Sequence, residues 1–240
     1  MMLRALALTG LAAAASTSHA ALVSLGEQNF QGTGLGAVNT VLTITSPGSS
    51  TTETGSVNWN GSSLTTTGNV LTGASQTNAP TLSSLGVTSA SDLRIVFNAQ
   101  EPGNGANSIT LDSLRLDIFS PTGTSLFNTS TTGPLTFNTT QTGVGNSGVV
   151  FGLDATSAAA AQAAAFGTGF ANNRIGLTAS ASNATGGPET FYALSFRSGT
   201  AGGTGSEVPG ASVPEPGTVA LLGLGLLGFA VSRRKSGKNA

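Results

Sequence analysis

The 240-residue chain has only 8% charged and 5% aromatic residues, no cysteine and a single histidine. Without thiols it has no disulfide framework, thiolate metal site, cysteine nucleophile or lipidated-cysteine anchor, and with His19 confined to the first twenty residues the remainder lacks the commonest general base and metal ligand. Between Ala21 and Val213 four arginines stand against nine acids, a net charge of -5 with no lysine, which argues against nucleic-acid binding because that needs clustered cations to displace phosphate counterions.

Residues 1–20 have the three parts of a secretory signal. Arg4 gives the positive start, Ala5–Ala15 the short apolar run, and Ser18-His19-Ala20 the small residues that precede a cleavage site. Cleavage is expected between Ala20 and Ala21. A helical signal segment, an exported chain and passage through the secretion machinery follow from this reading.

Residues 21–199 form the body, a length suited to one β-sandwich. Short runs of alternating apolar residues, bounded by Gly, Asn, Pro and Ser, predict strands at 38–45, 56–59, 92–99, 108–119, 125–127, 135–138, 148–153, 174–182 and 190–197. Leu93, Ile95 and Phe97 share one face of their strand, and Tyr192, Leu194 and Phe196 share one face of theirs; both rows are expected to face the core. In 109–119 the alternation changes phase, from Ile109 and Leu111 to Leu114, Leu116 and Ile118, and a bulge near Asp112-Ser113 reconciles the two halves. Ala155–Phe166 reads as the one helix of the body, capped by Asp154 or Thr156, ended by Gly167 and lying over an edge or end of the sandwich. The pattern predicts an all-β fold: an antiparallel two-sheet sandwich of jelly-roll or immunoglobulin-like type with one short Ala-rich helix. No period of 20 to 50 residues marks a solenoid.

Chemistry is sparse in the body. Asp112 and Asp117 are the closest acids in a strand context, but five residues apart they point to opposite faces unless the bulge intervenes. Catalytic residues are therefore expected to be absent, and no cofactor is required. Calcium is the one cation with a donor set, from Asn98, Glu101, Asn104 and Asn107 in the 98–107 loop, although Glu-Pro-Gly-Asn-Gly is first of all a turn sequence. Trp59, flanked by Asn58 and Asn60, is either a sugar-stacking platform or packing. Threonine clusters at 65–67 and 129–132 lack the regular spacing of an ice-binding array.

Residues 200–212 are a Gly, Ser and Thr-rich tether. Beyond it come Val213-Pro214-Glu215-Pro216, an apolar stretch from Gly217 to Val231, the basic cluster Arg233-Arg234-Lys235, and a tail at 236–240. This ordered combination over 213–235 resembles the PEP-CTERM sorting signal, a tail that also carries the label of an ice-binding protein C-terminal domain. The resemblance implies recognition of Pro-Glu-Pro by exosortase, a membrane-embedded processing enzyme, and a link to the exopolysaccharide or biofilm matrix.

The apolar stretch would make about 22 Å of helix at 1.5 Å per residue, against a bilayer core of about 30 Å. It is therefore expected to be a short transmembrane helix holding the chain transiently in the inner membrane, with its basic end cytoplasmic and the body outside. A permanent anchor is the alternative. Two function classes remain open at this point: a structural or interaction protein of the matrix or cell surface, and a carbohydrate-binding module with structural calcium.

Overall fold

The computed structural model describes residues 21–29, 39–73, 75–99, 108–138 and 147–196. The chain divides into units 1–206 and 207–240, and every described residue lies in the first. Among the described residues eleven strands run in order: β1 (Leu22–Asn29), β2 (Asn39–Ile44), β3 (Thr52–Trp59), β4 (Leu64–Gly68), β5 (Leu93–Asn98), β6 (Ser108–Phe119), β7 (Ser125–Ser130), β8 (Leu135–Asn138), β9 (Ser147–Leu153), β10 (Arg174–Ser182) and β11 (Glu189–Ser195), with one α-helix, α1 (Ala155–Ala165), after β9. They form a five-stranded sheet of order β1-β9-β5-β11-β2 and a six-stranded sheet of order β4-β3-β10-β6-β7, in which β8 pairs with the other half of β6. All the pairings are antiparallel. The chain is thus a two-sheet β-sandwich, as its alternation predicts.

The expected bulge in β6 is present. Ser113 lies opposite Ser180 and Leu111 opposite Ala181, so Asp112 is the extra residue. Slipping one residue exchanges the two faces of a strand, and here it brings Ile109 and Leu111 to the same side as Leu114, Leu116 and Ile118, all five at most 1% exposed. Opposite them the first sheet contributes Leu93, Ile95, Phe97, Phe151 and Phe191. Phe97 and Phe191, directly paired across β5 and β11, stack at 4.9 Å between ring centroids. Phe137 of β8 reaches across to lie 6.2 Å from Phe97 and edge-on to Phe151 at 6.4 Å. Such aromatic pairs add about 0.5–1.5 kcal/mol each beyond the area they bury.

The predicted core row of β11 is corrected. Phe191 and Ala193 face the interior, whereas Tyr192 and Leu194 lie on the outer face with Val96, Val150 and Leu25. Tyr192, Val96 and Val150 form one row across β11, β5 and β9. Apolar residues on both faces leave the alternation of β11 without a preferred side, and the Phe97–Phe191 pairing decides it. Burial also raises the Tyr192 hydroxyl above its ordinary pKa.

Two strands escaped the alternation rule. In β1 a register shift between Ser24 and Gly26 breaks the period, and β4 is Leu-Thr-Thr-Thr-Gly, whose threonines carry β-propensity without an apolar row. Helix α1 matches its prediction, and Asp154 is the cap, accepting from Ser157 N through Oδ1 at 2.6 Å. Lacking large apolar residues, it packs by a row of small ones, Ser157, Ala161 and Ala165, all buried, which lets its backbone approach the sandwich closely alongside β7 and β9. Asn173 Nδ2 donates to the Ala165 carbonyl at 2.8 Å, satisfying one of the open carbonyls at the helix end.

At one end of the six-stranded sheet the β3–β4 and β6–β7 turns press together. A β-carbon on Gly61 would lie 2.5 Å from the Thr122 carbonyl oxygen, and one on Gly123 would lie 2.4 Å from the Asn60 carbonyl carbon, with both glycines at positive φ. Gly123→Ala is therefore expected to cost about 2–4 kcal/mol by backbone strain and overpacking, read as a lowered denaturation midpoint. Gly133→Ala, with nothing within 4 Å and no positive φ, should leave the midpoint nearly unchanged.

Candidate functional site

The first site residue the structure places is Ala21, the residue after the expected cleavage. It is 4% exposed, and its carbonyl accepts from Asp154 N at 3.1 Å and from Ser157 Oγ at 3.2 Å. Its nitrogen donates to Asp154 Oδ2 at 3.0 Å. One carboxylate thus holds the start of β1 with one oxygen and the start of α1 with the other. Sequence reasoning found Asp154 only as a helix cap; its second role depends on β1 and β9 lying side by side, with Leu22 opposite Leu153.

Trp59 is half-buried at the end of β3. Its Nε1 donates to the Pro121 carbonyl at 2.8 Å, and the Arg174 guanidinium carbon lies 4.2 Å from the centre of its ring. Arg174 in turn donates to the Ala79 carbonyl at 2.5 Å. The indole therefore fastens the β6–β7 turn to β3 through its N–H, and one of its faces carries a cation. Asn58 Nδ2 lies 3.4 Å from Ser56 Oγ, while Asn60 Oδ1 accepts from Ser62 N and Ser63 N, each at 2.9 Å. Both flanking amides thus serve local structure.

Of the four residues proposed for calcium, Asn98 is fully buried at the end of β5 opposite Thr190, while Glu101, Asn104 and Asn107 lie outside the described residues. Among the described residues no three His, Cys, Asp or Glu side chains are grouped as for a metal ion.

The two acids of β6 are separated in role. Asp112, on the bulge, accepts from Ser182 Oγ at 3.0 Å. Asp117 is 4% exposed and takes two bonds from Arg115, from Nε at 2.9 Å and Nη2 at 2.7 Å. That pairing raises the Arg115 pKa above its ordinary value, the Asp117 hydrogen bond being the largest cause. The two carboxyls of β6 thus have separate partners, Ser182 for Asp112 and Arg115 for Asp117.

The outer face of the six-stranded sheet is lined with hydroxyls. Ser56 and Thr67, Ser113 and Ser180, and Thr110 and Thr136 lie opposite one another with oxygens 2.7, 2.8 and 3.0 Å apart. Thr65 and Thr67 of the first threonine cluster are exposed members of this surface.

The remaining sequence-derived site residues, Ala20, the motif Val213 to Pro216 and the cluster Arg233 to Lys235, lie outside the described residues, as does the apolar 217–231 stretch. Among the described residues no helix is long and apolar enough to cross a membrane. Residues 212–235 match the PEP-CTERM protein-sorting motif. The chain therefore carries the sorting signal of exported proteins that exosortase processes. No curated protein and no solved structure matches it.

The single tryptophan makes its own environment measurable. Arg174→Ala removes the cation over the ring and the bond to Ala79, and is expected to cost about 1–2 kcal/mol. An unfolding curve followed by Trp59 fluorescence should show the loss as a lower midpoint with unchanged cooperativity.

Proposed function

We propose that the chain is a non-enzymatic structural or interaction protein of the cell surface or exopolysaccharide matrix, exported by its N-terminal signal and released from the inner membrane at its sorting tail. The sorting-motif match at 212–235 carries this reading. The body supports it in two ways. Asp112, Asp117 and Asp154 are each engaged in structural bonds. The hydroxyl-lined sheet also offers a broad surface with few charges, on which Arg115 and Asp117 pair with each other and Asp112 accepts from Ser182.

The placement of Trp59 weighs against the carbohydrate-module reading, since its N–H and one face are already engaged. Proteolytic release also explains why a span too short for a durable anchor suffices. It need hold the chain only until exosortase acts.

Intact-mass analysis of protein from the culture medium and from membranes tests both ends. The released form should begin at Ala21 and lack Arg233 to Lys238, and Glu215→Ala should shift the protein into the membrane fraction as the uncut form. Released protein that retains the basic cluster would refute the processing, and robust turnover by the purified body would refute the non-enzymatic assignment.

A further inference from the structure

We propose that Asp154 is the receptor for the α-ammonium group that signal cleavage creates at Ala21, so that maturation completes the fold; this rests on cleavage between Ala20 and Ala21. In the precursor the Ala21 nitrogen is a neutral peptide N–H. Hydrolysis of the Ala20–Ala21 bond consumes one water and leaves a carboxylate on Ala20 and an amine on Ala21, which protonates near neutral pH. That cation is then 3.0 Å from Asp154 Oδ2, and a neutral bond becomes a charge-assisted one of roughly twice the strength.

The same carboxylate still caps α1 through Oδ1, so the new terminus also strengthens the junction of helix and sheet. On β1, β9, β7 and α1 the one charged residue is Glu27, at the far end of β1; of the other packed elements, the 90–92 turn carries Asp92 and β5 carries Arg94, which bonds the Ser91 and Leu93 carbonyls.

A double-mutant cycle tests the pairing. Asp154→Asn, which keeps a capping oxygen, is introduced into the chain beginning at Ala21 and into the same chain with Ala20 retained ahead of it. The folding equilibrium constant should fall about tenfold more in the chain beginning at Ala21. Equal losses in both backgrounds would overturn the pairing. A released protein whose N-terminal residue is not Ala21 would instead overturn the cleavage reading.

A separate observation concerns the edges of the sheets. We infer that β4 is a homotypic docking edge that joins two copies of this chain by antiparallel strand pairing. Asn60 N donates to Ser63 O and Asn69 N to Thr54 O, which fixes the alternation of the β3–β4 ladder and turns the N–H and C=O groups of Leu64, Thr66 and Gly68 away from β3.

The other long edges are managed in ways natural sheets use. The outer side of β2 is bonded by 69–78, through Asn69, Leu71, Thr77 and Asn78. β1 has its register shift and Glu27, and β7 has a register shift and α1 beside it. By contrast β4 is regular and lacks proline, and no charged residue occurs between Glu53 and Asp92, so a second copy approaches there away from the acidic groups that give the body its net charge.

The strand is also self-complementary. Pairing about Thr66 sets Thr65 opposite Thr67 of the other copy, a favourable cross-strand pair. It sets Leu64, the large apolar residue left 39% exposed among those described, over Gly68, which has no side chain to meet it.

With no native cysteine, single thiols test this register in the full chain in detergent. Thr65 and Thr67 would face each other at a non-hydrogen-bonded position with Cα atoms about 4.5 Å apart, inside the range a disulfide spans. An equimolar mixture of Thr65→Cys and Thr67→Cys proteins should cross-link under mild oxidation well above either alone and above Ser130→Cys, and Thr66→Lys should lower the self-association seen by sedimentation with the Trp59 unfolding curve retained. A mixture no better than Ser130→Cys, or self-association untouched by Thr66→Lys, would overturn the proposal.

Discussion

The register of β6 is the constraint from which the six-stranded sheet is built. At twelve residues it is the longest strand among the described residues and pairs with three others, β10 along one side and β7 and β8 along the other. Its sequence would bury only one of its two apolar rows if the strand were regular. The extra residue at Asp112 turns both rows inward, and with them the layer that packs against Phe97, Phe151 and Phe191. In a chain without disulfides, and with one ion pair among its described residues, this apolar layer must offset most of the conformational entropy lost on folding.

The periphery is held by different means. Where the six-stranded sheet ends, two turns meet by backbone contact at Gly61 and Gly123 and through the Trp59 indole. Where the two sheets meet at one side, Asp154 ties the start of β1 to the start of α1. Small and polar residues carry these junctions because they require close approach or directed bonds, which large apolar side chains cannot supply. That accounts for a composition rich in Gly, Ser and Thr yet folded around a continuous core.

Such an architecture suits an exported protein without cysteine, whose stability cannot draw on disulfides. The sorting tail supplies the route, and the sandwich supplies a surface dominated by hydroxyls. The charges sit at few places on the body, and several are already engaged: Arg115 with Asp117, Arg174 with Trp59, and Arg94, half-buried and bonded to the Ser91 and Leu93 carbonyls, whose pKa burial lowers from its ordinary value.

The sequence by itself determined the sorting tail, the sandwich class, the bulge in β6 and the helix, because each is written in local order: a motif, an alternation of period two, a change of phase, an alanine run; the structure alone chose Asp154 over Thr156 as the cap. The sequence did not determine β1 or β4, whose periodicity is interrupted or polar, nor the face of β11, where apolar residues stand on both sides. Only tertiary structure decided those, since the choice there rests on partners distant in the chain: Phe97 for Phe191, Val57 for Thr66. The same holds for the functional residues. Trp59 received its role from Arg174 and Pro121, and Asp154 its second one from Ala21, through contacts 62 to 133 residues apart in sequence, a separation that no local pattern encodes.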